Sequence, residues 1–469
     1  MALVTTFATT PLTSLLYPRW YQIKLEAWKR GEIDWDENRL TDSDSVSFAK
    51  IQSFEVGRLL TYLRVDSMAG VLKITSLLAK NPSCTAKPRL HPTKQRQAST
   101  HTNNNSVDLS RPLQVHAVRF MELTDRDSSV MKVSELDEYT RRDPIVNTFR
   151  TFGQLNNIAV AGAVLVVPEA SYAVSITDKA MEVSADLILI PWTGSSSMNE
   201  NLSSLSETGD HRFENSSYSN FVATSMKYAT CNIAIFVDQG FGGSKNREAQ
   251  GPSLRKTLSG VMMRDQDDVP IAPNVDQGHH VFFPYFGSED DMVALRFVLQ
   301  LAQNPCVTAT IVHFKIERGM DEISSADSST GQVSEKSGKS PVTVTTAVNS
   351  SPDQYTIFFT ALRDSLPSEI ANHVVFDTQR SSSPFNDTME YARKEIGLNP
   401  NNAGDLIILG RNSALNSTID SGMYESSPAL GSEARRSLGV VAEGVIRKGL
   451  DASLLVMQDH KKRPSVHST

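Results

Sequence analysis

Residues 159–192 read AVAGAVLVVPEASYAVSITDKAMEVSADLILIPW. The first part, 159–168, is an uncharged apolar run closed by a proline. It is too short for an ordinary helix and reads as a strand covered on both faces. Residues 171–184 read as a helix. Residues 185–192, ADLILIPW, are a second buried strand. Strand, helix and strand in so short a span force the strands to pair in parallel through a helical crossover.

Working outward, the same unit recurs. Residues 58–78 give a short apolar strand, a turn at Val65–Ser67, then a helix with Met68, Val71, Leu72 and Leu78 on one face. LQVHAVRFMEL (113–123) is a strand, and 144–155 a helix opening at Pro144, an allowed first position. Residues 221–228 read as helical, and CNIAIFVDQGF (231–241) as a strand. The pattern restarts at 279. Residues 279–305 are strand, turn and helix, and VTATIVHF (307–314) is a strand. Residues 355–366 are a helix, 373–377 a strand and 385–397 a helix. DLIILG (405–410) is a strand, 438–449 a helix and ASLLVMQ (452–458) the last strand. Alternation of this kind predicts a doubly wound α/β sandwich.

RVDSMAGVLKITSLLA pairs with YFGSEDDMVALRFVLQLA, and ADLILIPW with GDLIILGR. The expectation is two tandem, mostly parallel-sheet α/β domains, 55–241 and 279–458, joined by a linker over 242–278. Polar stretches at 81–111 and 194–219 read as disordered loops, and 315–353 as a disordered insertion. Residues 22–54 read as a juxtamembrane linker and 459–469 as a tail.

The chain has 469 residues, 39% hydrophobic and 21% charged, with net charge −7, which argues against general nucleic-acid binding. Its cysteines, Cys84, Cys231 and Cys306, are few and far apart. That fits unpaired thiols in a reducing compartment better than a disulfide framework or a zinc site. The start, MALVTTFATTPLTSLLYPRWYQ, is apolar up to Tyr17 and Pro18, then carries Arg19, Trp20, Tyr21 and further basic residues. A signal peptide, a core helix or arm, and the cytoplasmic end of a membrane helix with an aromatic and basic collar all fit it.

Few residues carry readable chemistry. Asp66 ends the first strand beside a helix start and is either a ligand contact or a helix cap. Ser288, Glu289 and Asp290 occupy the matching turn of the second half. Gly410, before Arg411 and Asn412, follows a strand in the way that lets backbone approach a phosphate. Phe241-Gly242-Gly243-Ser244 reads as a plain loop. His279 and His280 alternate across a strand, with no acidic or cysteine partner at ligand spacing. His116 and His313 read as packed core histidines. No nucleophile elbow, P-loop or paired-carboxylate constellation is present, so the expectation is a non-enzyme without metal or cofactor.

Together, ATTPLTSLLYPRWY (8–21), LQVHAVRFMELTDRDSSVMKV (113–133), ADLILIPW (185–192), CNIAIFVDQGF (231–241), the run 281–305 and DLIILGRN (405–412) resemble cation/proton antiporters of the monovalent cation:proton antiporter-2 family. The likeness is to the fungal K+/H+ antiporters and, more distantly, the plant exchangers. It covers essentially the whole chain. The resemblance implies two universal-stress-protein-like domains forming a cytosolic tail. Residues 1–21 would then be the end of the last transmembrane helix.

The family's transport core, with its midplane ion-binding carboxylate, is not in this sequence, so the chain is expected to be a C-terminal fragment or a truncated gene model. The implied role is regulation of K+/H+ antiport at an intracellular or endomembrane compartment, with the bulk of the chain cytosolic. The implied partners are the antiporter's transmembrane domain and a second copy in a homodimer. The alternative is a free stress-protein-like nucleotide sensor. Stress proteins that bind ATP carry a glycine-rich motif after the fourth strand. Here Gly410 and Gly439 match it, but Val440 stands where a hydroxyl belongs. A nucleotide site would therefore rest on Asp66, Gly410 and Gly439.

Overall fold

In a computed structural model, the described residues are 55–79, 91, 93–94, 112–123, 136–192, 216–241, 278–316, 354–397, 404–412, 432–450 and 452–460. Residues 1–54, with the expected membrane-helix end, lie outside them, as do 194–215, most of 81–111, 242–277 and 317–353. Among the described residues, no helix is long and apolar enough to cross a membrane.

The strands are β1 (Arg58–Tyr62), β2 (Gln114–Glu122), β3 (Ala159–Val167), β4 (Leu187–Trp192), β5 (Asn232–Val237), β6 (His279–Tyr285), β7 (Val307–Ile316), β8 (Val374–Ser381), β9 (Asp405–Gly410) and β10 (Ser453–Gln458). The helices are α1 (Met68–Leu78), α2 (Leu136–Arg142), α3 (Pro144–Leu155), α4 (Tyr172–Glu182), α5 (Ser216–Tyr228), α6 (Glu289–Ala302), α7 (Gln354–Asp364), α8 (Ser368–Ala371), α9 (Pro384–Glu395), α10 (Ser432–Leu438) and α11 (Val440–Arg447). The ten strands among the described residues form one sheet, in the order β3-β2-β1-β4-β5-β10-β9-β6-β7-β8. Each half repeats one order, with its third strand outermost and its fifth innermost. This is the α/β, mostly parallel architecture that the alternation predicts.

The sequence reading does not place the two half-sheets edge to edge. They join through β5 and β10, paired antiparallel from Val237↔Leu454 to Ile233↔Gln458; the other pairings are parallel. Strand side chains alternate between faces, so two cores form, each running through both halves. One contains Leu59, Leu189, Phe236, Phe283, Ile408 and Leu455. The other contains Leu60, Ile188, Ile235, Phe282, Leu409 and Val456.

Polar contacts reinforce the seam on both faces. The Gln300 side chain of α6 exchanges two hydrogen bonds with the Val56 backbone, and Asn304 Nδ2 donates to Leu77 O at the end of α1. On the other face, Ser437 Oγ of α10 donates to Ser219 O of α5 at 3.0 Å.

Local signals explain the helix starts. Asp143 caps α3 by accepting from the amides of Ile145 and Val146, with Pro144 in the first turn. Its carboxylate also pairs with Arg119 of β2, which fixes α3 against the sheet. Ser288 and Asp291 form a reciprocal capping box at α6.

Several expectations change. β3 is an edge strand with several exposed or half-exposed residues, not one covered on both faces. Its free backbone is occupied instead. Arg150 of α3 donates to Gly162 O, and Thr140 Oγ of α2 accepts from Val164 N, which blunts the edge against strand addition. The helix expected over 438–449 is α11, which begins only after Gly439, whose φ is 87°; α10, just before it, is not expected from the sequence. Within the stretch read as a disordered loop, 81–111, His91 is buried, and Lys94 Nζ donates to the carbonyls of Ala371 and Val374. Cys306 is disulfide-bonded, against the expectation of unpaired thiols. Cys231 is a free thiol, and burial pushes it up to about 12.

Candidate functional site

Open parallel sheets bind ligands at the carboxyl ends of their strands. Because β5 and β10 run antiparallel, the carboxyl ends of the first half lie at one end of the sheet and those of the second half at the opposite end. Asp66 belongs to the first set and Gly410 to the second. Their strands, β1 and β9, are also four positions apart in the sheet order, or about 19 Å at the usual strand spacing. The three residues singled out from sequence therefore do not converge on one site. Gly410 and Gly439 are brought together; Asp66 is not with them.

At the first end, Asp66 accepts two hydrogen bonds at 3.2 Å from the guanidinium of Arg64, a fully buried side chain. Arg64 lies 5.5 Å from the centre of the Tyr218 ring, and Tyr218 donates to Pro191 O. Burial alone would lower the Arg64 pKa. The Asp66 carboxylate and the hydroxyls of Tyr218 and Tyr62 outweigh it and raise it further. Asp66 thus serves to hold a buried cation inside an aromatic cluster.

At the second end, two carboxylates organise the strand termini. Asp290 accepts from the backbone and side-chain nitrogens of Asn412, and from the amide of Asp459, each at 2.8 Å. It ties α6 to the ends of β9 and β10. Asp291 accepts from the amides of Phe286 and Ser288. It is fully buried, and desolvation raises its carboxyl to about 7.

The two glycines have packing reasons. A Cβ at Gly410 would press into the Asp291 carboxylate and lie 2.9 Å from Asp291 N. A Cβ at Gly439 would lie 2.6 Å from Arg411 O, and its φ lies in the left-handed region that favours glycine. Both positions are thus required to be glycine by the chain's own packing.

A third arrangement has no counterpart in the sequence reading. His91, His280 of β6 and Glu395 at the end of α9 each turn one ligand atom into a common volume, all within 4.8 Å of one another. Thr310 of β7 sits among them. Its hydroxyl lies 3.0 Å from His91 Nε2 and 3.3 Å from His280 Nε2, and donates to Glu395 Oε2 at 2.8 Å. His280 Nε2 is 3.2 Å from the same carboxylate oxygen. The second ring nitrogens are held by Thr93 and Thr308 hydroxyls, at 2.8 and 2.9 Å.

Burial, with His280 beside it, pushes His91 down to about 4, so it is neutral near pH 7. Burial would raise the Glu395 carboxyl, but hydrogen bonds from His280 and Thr310 outweigh it and hold it below its ordinary value. The expectation that His280 lacks an acidic partner is thus corrected. That partner comes from α9, 115 positions away by residue number, where no local spacing could show it. His116 is half-buried, whereas His313 packs in the core, where burial pushes it down to about 4.

A family model described as the plant cation/H(+) antiporter domain matches residues 115–241, the stretch from β2 to just beyond β5. Among curated proteins, cation/H(+) antiporter 18 of Arabidopsis thaliana is 23% identical over 224 residues, which are 45% of this chain and 24% of that protein. The match thus spans about a quarter of that relative's own length. Among solved structures, a universal stress protein from Archaeoglobus fulgidus aligns with TM-score 0.41 at 11% identity, over 87% of this chain and 99% of that one. The cytoplasmic domain of a prokaryotic cation chloride cotransporter aligns with TM-score 0.36 at 8% identity, over 87% and 97%. In sequence, then, this chain is similar to a region of cation/H+ antiporters, and the matched stretch carries four of the five strands in the first half-sheet.

Proposed function

We propose that this chain is the cytosolic regulatory region of a monovalent cation/proton antiporter, with K+ as the cation. The supporting observation is the match of residues 115–241 to a cation/H(+) antiporter domain. In this reading the chain moves no ions and performs no catalysis. It biases the alternating-access equilibrium of a membrane core, which requires contacts that differ between the core's two states. The ten-stranded sheet supplies a stiff platform for such contacts. We place the complex on an intracellular membrane, as a homodimer through its transport cores. A nucleotide at Gly410 and Gly439 is not part of this proposal.

Replacing the stretch of cation/H(+) antiporter 18 that this chain matches with this chain, in cells whose growth across external pH and K+ depends on the resulting protein, tests the reading. The proposal expects the chimera to recover a pH or K+ tolerance that the tail-less core lacks. Growth identical to that of the tail-less core, with equal protein at the membrane, would refute it.

A further inference from the structure

We propose that His91, His280 and Glu395 form a binding site for a transition-metal dication of the zinc class. Two imidazoles and one carboxylate are a ligand set that such ions take, at bond lengths of about 2.0–2.2 Å. The three ligand atoms lie within 4.8 Å of one another, so closing on one ion needs each to move by less than about 1 Å. The pair His280 Nε2 and Glu395 Oε2, 3.2 Å apart, already has the separation of two neighbouring ligands on a tetrahedral ion.

The surroundings are those of a supported site. A ligating histidine needs its other ring nitrogen held, which fixes tautomer and ring direction. Thr93 does this for His91 and Thr308 for His280, at 2.8 and 2.9 Å. Both Nε2 atoms are thereby aimed at the same volume, and the Thr310 hydroxyl steadies the carboxylate. Both histidines are buried and Glu395 is half-buried, so the polar groups sit away from bulk water. The nearby cation, Lys94, is turned onto the carbonyls of Ala371 and Val374. One carboxylate against a dication leaves a single net positive charge, with the Thr310 hydroxyl beside all three ligand atoms.

The site has a structural consequence. His91 precedes β2 of the first half, whereas His280, Thr310 and Glu395 belong to the second. A bound ion would fasten His91 onto β6, β7 and α9, and add a clasp between the halves beside the β5–β10 seam.

The test uses the full 469-residue chain, stripped with chelator and titrated with Zn2+ and Co2+. The expected result is one saturable equivalent, visible Co2+ ligand-field bands, and affinity at least about tenfold weaker in His280→Ala and Glu395→Gln. Glu395→Gln keeps an oxygen to accept from Thr310, which guards against simple unfolding. X-ray absorption on the unmutated Zn2+ complex should show two imidazoles in the first shell, independent of any variant. No saturable binding, binding that both variants leave intact, or a first shell without two imidazoles would overturn the proposal. In those cases the cluster is a hydrogen-bond network centred on Thr310.

Discussion

Leu455→Ala tests whether the two halves are one cooperative body. Leu455 is fully buried in β10, opposite Phe236 of β5 on one side and Ile408 of β9 on the other. Truncating a buried leucine costs about 2–5 kcal/mol, because the lost transfer energy is joined by a cavity. The site lies between two strands of a continuous sheet and has little freedom to collapse, so about 3 kcal/mol is the expected loss. At about 1.4 kcal/mol per decade, the open state becomes roughly 100-fold more populated. Hydrogen exchange by mass spectrometry reads this directly. If the seam couples the halves, amides of β1 and β4 in the first half should speed up by the same two decades as those of β9 and β10. If only β9 and β10 accelerate while β1 and β4 keep their protection, the halves fold independently and the one-sheet account is wrong.

Two further substitutions probe the carboxyl end of β9. Gly439→Ala forces a side chain into the left-handed region and against Arg411 O, so stability should fall by about 1–3 kcal/mol in denaturant titrations; an unchanged midpoint would mean that this glycine is not required by packing. Asp291 has a raised folded pKa, about 7, so the folded state holds its proton more tightly than the unfolded chain does. Its contribution is most favourable below the ordinary carboxyl value and is lost as pH rises from there through about 7. Asp291→Asn should flatten that part of the stability profile; an unaltered slope would show that the carboxylate is ionised throughout.

Much of the framework was legible because parallel α/β units write themselves locally. Pro144 behind Asp143 marks the start of α3, and continuous runs such as DLIILG mark central strands. What stayed hidden depends on distant residues. An apolar run like AVAGAVLVV reads the same whether the strand is central or edge. The difference lies in Arg150 and Thr140, which occupy its backbone instead of a neighbouring strand. The β5–β10 join has no local signature either, since antiparallel pairing across some 220 residues follows from packing both half-sheets around shared cores. At the candidate sites, Asp66 and Gly410 were correctly placed at strand ends. Sequence order could not show that the seam turns those ends to opposite sides of the sheet. His91 lay in a polar stretch with little to bury, and its partner Thr310 is 219 positions away.

The regulatory claim is met most directly by proton flux. A tail-less cation/H+ antiporter core in proteoliposomes, driven by a K+ gradient and read with an internal pH dye, can be measured with and without this chain joined to it. The account predicts that the chain shifts the pH or K+ dependence of the flux while leaving the ion exchanged unchanged. Superimposable flux curves, at equal amounts of incorporated core, would contradict it.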